Sequence, residues 1–261
     1  MKDIRLHGDA PYDIAMLHGG PGANGEMYPV ALELSDQFGI IEPLQHANSV
    51  EGQIEELREQ LSRVTARAVC LIGFSWGAWL AILFTARYPA MVKKLILIGC
   101  GVLEAKYAAE IDAVRMQRLS ETEKNELESL ISLLKKNSDK EKKELFVKFG
   151  KLFSKTDSYK QLDVDNSKMD LHPEVFESVW PEGSELRKSG RLLGVVKKIK
   201  CSMTVIHGDS DPHSGALVKQ SLSSAGIKFS FFELSRCGHK PWAEKYAKEK
   251  FFDLMRKELC Q

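Results

Sequence analysis

The sequence predicts an α/β fold, a mostly parallel sheet flanked by helices. Three observations predict it. Apolar runs of strand length recur along the chain, stretches of helical period lie between them, and each run ends in a glycine-bearing or polar turn. Such alternation sets consecutive strands side by side through crossover helices, and the helices cover both faces of the sheet.

The elements follow in order. Ile14–Leu17 is a strand ending at His18-Gly19-Gly20-Pro21-Gly22, and about a dozen residues precede it, enough for one edge strand at best. Gly39–Ile41 is a shorter strand candidate, and Ser49–Arg63 reads as an amphipathic helix with Ser49 as its N-cap. Val69–Ile72 is a strand that runs through Gly73-Phe74-Ser75-Trp76-Gly77 into an apolar helix over Trp76–Arg87. Leu95–Ile98 ends at Gly99-Cys100-Gly101, and Met203–Ile206 ends at His207-Gly208-Asp209-Ser210-Asp211-Pro212. Phe229–Leu234 ends at Ser235-Arg236-Cys237-Gly238-His239, and Pro241–Leu259 reads as a closing helix. Between about Glu104 and Lys198 the pattern changes to charge-rich helical segments without a convincing strand. This assigns residues 1–103 and 199–261 to the sheet core and 104–198 to a helical lid inserted between sheet strands. Within it, the charged run Lys135–Glu144 reads as a solvated helix face.

Composition narrows the function classes. The chain has 261 residues, 28% charged and 43% hydrophobic, with a formal net charge of +1. Near-neutrality argues against a nucleic-acid or membrane-surface partner. No charge interrupts the stretch between Arg67 and Arg87, a length that spans a bilayer, but Gly-Phe-Ser-Trp-Gly breaks it near the centre. A buried strand followed by a buried helix accounts for it better. The five cysteines (Cys70, Cys100, Cys201, Cys237, Cys260) are scattered and form no Cys-x-x-Cys pair, which argues against a zinc site or disulfide framework. With no apolar leader at the N-terminus, a reduced, cytoplasmic setting is expected.

The chemistry centres on Ser75. A Gly-x-Ser-x-Gly turn between strand and helix presents a serine hydroxyl at the tip of the sheet, and the helix that follows aims backbone N–H groups at whatever the serine attacks. A serine needs a base, and the base needs an anion that fixes its tautomer. Asp211 lies 136 residues beyond Ser75 and His239 lies 28 beyond Asp211, each after a strand. Asp209 is the rival acid, nearer the strand end and better suited to orienting the turn. His18 and His207, beside glycines at strand ends, are expected to hydrogen-bond their loops, and His213 is too near Asp211 to come from a separate strand. Trp76 and Trp79 read as core or pocket-wall residues.

These motifs resemble the α/β-hydrolase superfamily, and His18-Gly19-Gly20-Pro21-Gly22 with Gly73-Phe74-Ser75-Trp76-Gly77 resembles its proline iminopeptidase branch. The resemblance covers residues 12–103 and 199–259 and implies a Ser75–His239–Asp211 triad. It also implies an oxyanion hole from the backbone N–H groups of Gly20 and Trp76. The branch holds a substrate amine with acidic lid residues, for which Glu182 and Glu185, near Trp180, are the candidates here. Where the family carries Asp-x-Arg-Gly-x-Gly, this chain has Glu42-Pro43-Leu44-Gln45-His46-Ala47-Asn48-Ser49, so one pocket wall differs.

The leading expectation is a serine hydrolase of a small carboxylic ester, thioester or amide, working through an acyl-enzyme with neither metal nor organic cofactor. An aminopeptidase, a non-catalytic binding protein on a hydrolase fold, and a carbon–carbon lyase or hydrolase using the same triad stand as alternatives. Oligomeric state is not legible in the sequence.

Overall fold

Seven strands form the main sheet of the computed structural model, which describes residues 3–134 and 139–260, the side chains of 139–141 excepted. They are β1 (Ile4–His7), β2 (Tyr12–Leu17), β4 (Gly39–Pro43), β5 (Val69–Phe74), β6 (Val92–Ile98), β8 (Ser202–Gly208) and β9 (Ser230–Leu234). The short strands β3 (Ala23–Asn24) and β7 (Asp170–Leu171) pair separately. In the sheet the order is β1-β4-β2-β5-β6-β8-β9, and only β1, at one edge, runs antiparallel.

The central strands are apolar along their whole length because both faces are covered. Val69 and Leu71 of β5 and Leu95 and Leu97 of β6 join one hydrophobic cluster. Their alternates Cys70, Ile72, Phe74, Ile96 and Ile98 join the other. The first cluster receives α2 (Val50–Val64), α3 (Trp76–Arg87) and α9 (Gly215–Ser224), and the second receives α1 (Tyr28–Leu34) and α10 (Lys248–Leu259). Ser49 caps α2 as expected, its hydroxyl accepting from the Gly52 N–H at 3.0 Å. In α3 every residue from Trp76 to Thr85 is buried. The stretch without charge is therefore a strand and a core helix, and no helix among the described residues is long and apolar enough to cross a membrane.

Between β6 and β8 the chain forms α4 (Ala108–Arg118), α5 (Glu121–Leu134), α6 (Asp139–Thr156), α7 (Pro173–Lys188) and α8 (Arg191–Val196). Helices α5 and α6 pack through Leu127, Leu130, Leu145 and Leu152. Val175 and Val179 of α7 and Leu192 and Val196 of α8 instead join the cluster around α3. The strand β7, which the sequence did not suggest, pairs Leu171 with Ala23. Of the charged run 135–144, residues 135–138 and the side chains of 139–141 lie outside the described residues; Lys143 and Glu144 are exposed on α6.

The closing helix is shorter than its sequence pattern. Pro241–Ala243 is one 3-10 turn, Glu244 is extended, and α10 begins at Lys248. The break arises because the Ala243 carbonyl accepts from the Leu162 N–H at 2.7 Å while the buried Glu244 side chain turns inward.

Candidate active site

The sheet runs from β5 into α3 through Ser75, whose backbone lies at φ 53°, ψ −112°. Such a conformation costs a residue other than glycine about 1–3 kcal/mol. The flanking glycines allow it. A Cβ on Gly73 would press into the Gly77 carbonyl, and one on Gly77 into the His18 carbonyl. The Ser75 N–H donates to the Ile98 carbonyl at 3.0 Å, which fixes the turn to β6.

Parallel pairing of β8 with β9, down to Gly208 opposite Leu234, carries the next two loops to the same end of the sheet. There His239 Nε2 lies 3.0 Å from Ser75 Oγ, and His239 Nδ1 lies 2.8 Å from Asp211 Oδ2. Burial pushes the Asp211 carboxyl up, but the charge of His239, hydrogen bonding and the charge of His213 together outweigh it and hold the group well below the usual carboxylate range. An ionised Asp211 selects the imidazole tautomer with the proton on Nδ1, leaving Nε2 free to accept from the serine. Asp211 Oδ1 accepts from the His213 N–H at 2.8 Å. The rival Asp209 accepts from the N–H groups of Arg236 (2.9 Å) and Cys237 (3.1 Å), so it shapes the His239 loop without touching the imidazole.

The other histidines take distinct places. His18 Nδ1 lies 2.7 Å from the Gly19 carbonyl, a loop bond of the expected kind. His207 departs from expectation: neither ring nitrogen bonds its loop, and Nδ1 sits 3.7 Å from Asp211 Oδ2 with the ring stacked on Phe231. His213 stacks on His239 with centroids 4.5 Å apart. Burial, then the charge of His239, pushes the His213 imidazole down to about 3, so it is neutral near pH 7.

Several supports carried no sequence signal. Arg115 of α4 donates bidentately to Asp157, just beyond α6, and its Nη2 lies 3.2 Å from His213 Nε2. The Asp157 carbonyl accepts from the His239 N–H at 2.7 Å. Buried Glu244 accepts from the N–H groups of Tyr159, Lys160 and Gly238 at 2.7, 2.7 and 2.9 Å. Glu26, beneath the glycine-rich loop, pairs with Lys240 at 2.6 Å. Arg115 and Asp157 lie far from the motifs in sequence, and Glu26, Lys240 and Glu244, though near them, have no spacing to mark them.

Trp76 is the first residue of α3, so its N–H has no intrahelical acceptor. The Gly20 N–H donates to no acceptor among the described residues, and Gly20 has φ +23°. The departing segment 42–49 is pinned to α2: Gln45 Nε2 donates to Gln60 Oε1 at 2.8 Å, and Glu56 accepts from the His46 and Ala47 N–H groups.

Beside Ser75 a narrow cleft is lined by Trp76, Trp79, Gly101, Trp180, Arg187 and His213. Trp79 and Trp180 stack with centroids 5.9 Å apart and planes 8° apart. Their neighbours Glu182 and Glu185 do not line it; Glu182 Oε2 accepts from the Val50 N–H at the start of α2, at 2.8 Å. A wider surface hollow bounded by Asp3, Glu56, Arg58 and Arg63 contains none of these groups. Asp211, His213 and His239 present ligand atoms within 4.8 Å of one another. A cation there would have to break the Asp211–His239 hydrogen bond and face the Arg115 guanidinium on His213.

No family model matches the chain, and no curated protein matches its sequence. Solved structures do match its fold. VinJ superposes with a TM-score of 0.72 at 16% identity, covering 98% of this chain and 93% of its own. MGS-MChE2, an α/β-hydrolase enzyme from the metagenome of sediments from the lagoon of Mar Chica, Morocco, gives 0.61 at 16% identity, covering 98% and 94%. This is the α/β-hydrolase fold. The thioesterase domain from the curacin biosynthetic pathway shares it, with a TM-score of 0.59 at 16% identity over 99% of this chain and 94% of the other. In this hydrolase fold Ser75, Asp211 and His239 stand at the carboxyl ends of β5, β8 and β9, where ligands of open α/β sheets bind.

Proposed function

We propose that the protein is a serine hydrolase that cleaves a small carboxylic ester or thioester through an acyl-enzyme. The observation that carries this reading is His239, bridging Ser75 Oγ at 3.0 Å and Asp211 Oδ2 at 2.8 Å. Ser75 attacks the acyl carbon as His239 Nε2 takes its proton, and Asp211 stabilises the imidazolium. The oxygen that gains charge is met by the Gly20 and Trp76 N–H groups. His239 then protonates the leaving alcohol or thiol, and water, activated by the same imidazole, releases the acid.

Helices α4 to α8 serve in this reading as the lid, with Trp180 and Arg187 of α7 closing the acyl cleft. Arg187 also favours an ester or thioester over an aminoacyl amide, since a cation at the cleft repels a substrate ammonium. Buried Cys70, Cys100 and Cys237, their thiols pushed up by burial and kept protonated, are consistent with a reduced, cytoplasmic setting.

Labelling by a fluorophosphonate probe tests the reading. Wild type is expected to label, and Ser75→Ala and His239→Ala are not. Folded wild type that stays unlabelled, or labelling that survives Ser75→Ala, overturns it and brings a binding-only role forward.

A further inference from the structure

Arg187 stands out among the groups lining the cleft. Its Nε is buried without a hydrogen-bond partner, and the side chain makes no ion pair with any carboxylate among the described residues. Asp112, exposed on α4, is the acid that acts on it through space, and burial lowers the guanidinium from its ordinary range. Its guanidinium carbon lies over the face of Trp79, 5.4 Å from the ring centroid. A guanidinium over an indole keeps its N–H groups in its own plane, free to meet a planar anion side by side.

The rest of the wall offers little competition. The Trp76 indole N–H is taken by Gln53 Oε1 at 3.1 Å and that of Trp79 by the Gly101 carbonyl at 3.0 Å. Both tryptophans therefore present ring surface rather than donors. Arg115 Nη2 donates to His213 Nε2, which places the His213 proton on Nδ1, a buried atom without a partner. Arg187 is thus a half-buried cation, in ion pair with no carboxylate among the described residues, at an apolar cleft that opens on Ser75. Partial desolvation weakens the hydration of this charge, and the same partial desolvation strengthens its attraction for an anion that enters.

We propose that the cleft selects substrates carrying a carboxylate in addition to the bond that is cleaved, and that Arg187 is the residue that binds it. This deepens, and rests on, the reading of the site as a serine hydrolase. The second carboxylate belongs either to the acyl group or to the leaving group, and the chemistry of recognition is the same in both.

The test compares each acid with its methyl ester. On the acyl side the probes are the p-nitrophenyl hemiesters of succinic, glutaric and adipic acids and their methyl-capped forms. On the leaving-group side they are 4-carboxyphenyl pentanoate and its methyl ester. The acid is expected to exceed its capped form in kcat/KM by at least tenfold in one of the two series. Arg187→Met should bring that ratio down to about one, and Arg187→Lys, which keeps charge without the fork, should keep part of it. A wild type that favours the capped esters in both series, or an Arg187→Met that lowers acid and capped ester equally, overturns the proposal.

A binding measurement separates this from the reading beneath it. In Ser75→Ala, calorimetry with the monomethyl esters of the same diacids against their dimethyl esters should show the same preference, lost in Ser75→Ala/Arg187→Met. Binding preference without turnover or labelling by wild type would overturn the hydrolase reading and leave the Arg187 assignment standing. No preference in binding or in turnover would overturn the assignment alone.

Discussion

Replacing Asp211 by asparagine probes the candidate triad without altering its shape. The Asp211 side chain has no solvent exposure, and its two oxygens have different partners: Oδ1 accepts from the His213 N–H at 2.8 Å, and Oδ2 meets His239 Nδ1 at 2.8 Å. An asparagine must keep its oxygen on the His213 N–H, because an NH2 there would set donor against donor. Its NH2 then faces His239 and donates to Nδ1, which moves the imidazole proton to Nε2. The base now points a donor at Ser75 and cannot take its proton. Loss of the right tautomer and of the carboxylate's charge is worth about 10⁴ in kcat, or about 5.4 kcal/mol. The assay is steady-state hydrolysis of an activated ester, with circular dichroism to confirm an unchanged fold. Asp209→Asn is the control: it keeps one of the two loop bonds and should lower kcat by less than tenfold. Asp211→Asn within tenfold of wild type, or Asp209→Asn as the more damaging change, would refute the assignment of the acid.

Further outcomes follow from the surrounding contacts. His213 ordinarily titrates at 6.5 and is pushed down to about 3 by burial and by His239. Between those values the unfolded chain binds a proton that the native fold refuses, so stability should fall as pH drops through this window. The slope is about 1.4 kcal/mol per unit at most, or up to about 3 kcal/mol from pH 6.5 to 4.5. His213→Gln, which keeps an acceptor for Arg115, should flatten the dependence of urea unfolding on pH over that range. Glu244→Ala leaves the buried Gly238 N–H and the part-buried N–H groups of Tyr159 and Lys160 without their acceptor and should destabilise the protein by roughly 2–3 kcal/mol, read by thermal unfolding. Gly77→Ala forces a Cβ onto the His18 carbonyl, a backbone atom that cannot turn aside. It should destabilise by about 2 kcal/mol or more and abolish fluorophosphonate labelling in the fraction that folds. Aminoacyl p-nitroanilides with a free amine should be turned over more slowly than their N-acetyl forms; the reverse order would restore the aminopeptidase alternative.

Sheet and elbow were legible because their constraints are local. A run such as Val69–Ile72 is apolar at every position because both faces are covered, and Gly73 and Gly77 are needed because a Cβ at either meets backbone. Asp211 and His239 were legible for a related reason: parallel strands deliver the residues after them to one edge, so order along the chain gives position in space. Where long-range contacts override local pattern, the sequence misleads. Residues 241–247 carry a helical signal, yet Leu162 takes the Ala243 carbonyl and Glu244 is drawn inward to three N–H groups from elsewhere in the chain. Trp180 could be placed near the site, but Glu182 could not be separated from Arg187 by pattern. Which side chain of α7 turns into the cleft depends on how α7 docks, and part of that docking is the bond from the Val50 N–H to Glu182 itself.

The helices over the cleft are therefore more than a cover. The His239 N–H is held by the Asp157 carbonyl, Asp157 is gripped by Arg115 of α4, and Glu244 ties the segment after α6 to the Gly238 N–H. On the opposite side, the His172 N–H donates to the Gly22 carbonyl at 2.8 Å, next to the strand pair that joins α7's approach to the glycine-rich loop. Both His239 and the loop with the Gly20 N–H thus take part of their position from residues 104–198. Deleting that segment to leave a bare sheet would remove partners from His239 and Gly22 along with the cleft. On the proposed reading, specificity and catalytic geometry share one set of contacts in this chain, so changes on the inner face of α4 or at Asp157 should reach kcat, whereas a change at Arg187 should be felt first in the choice of substrate.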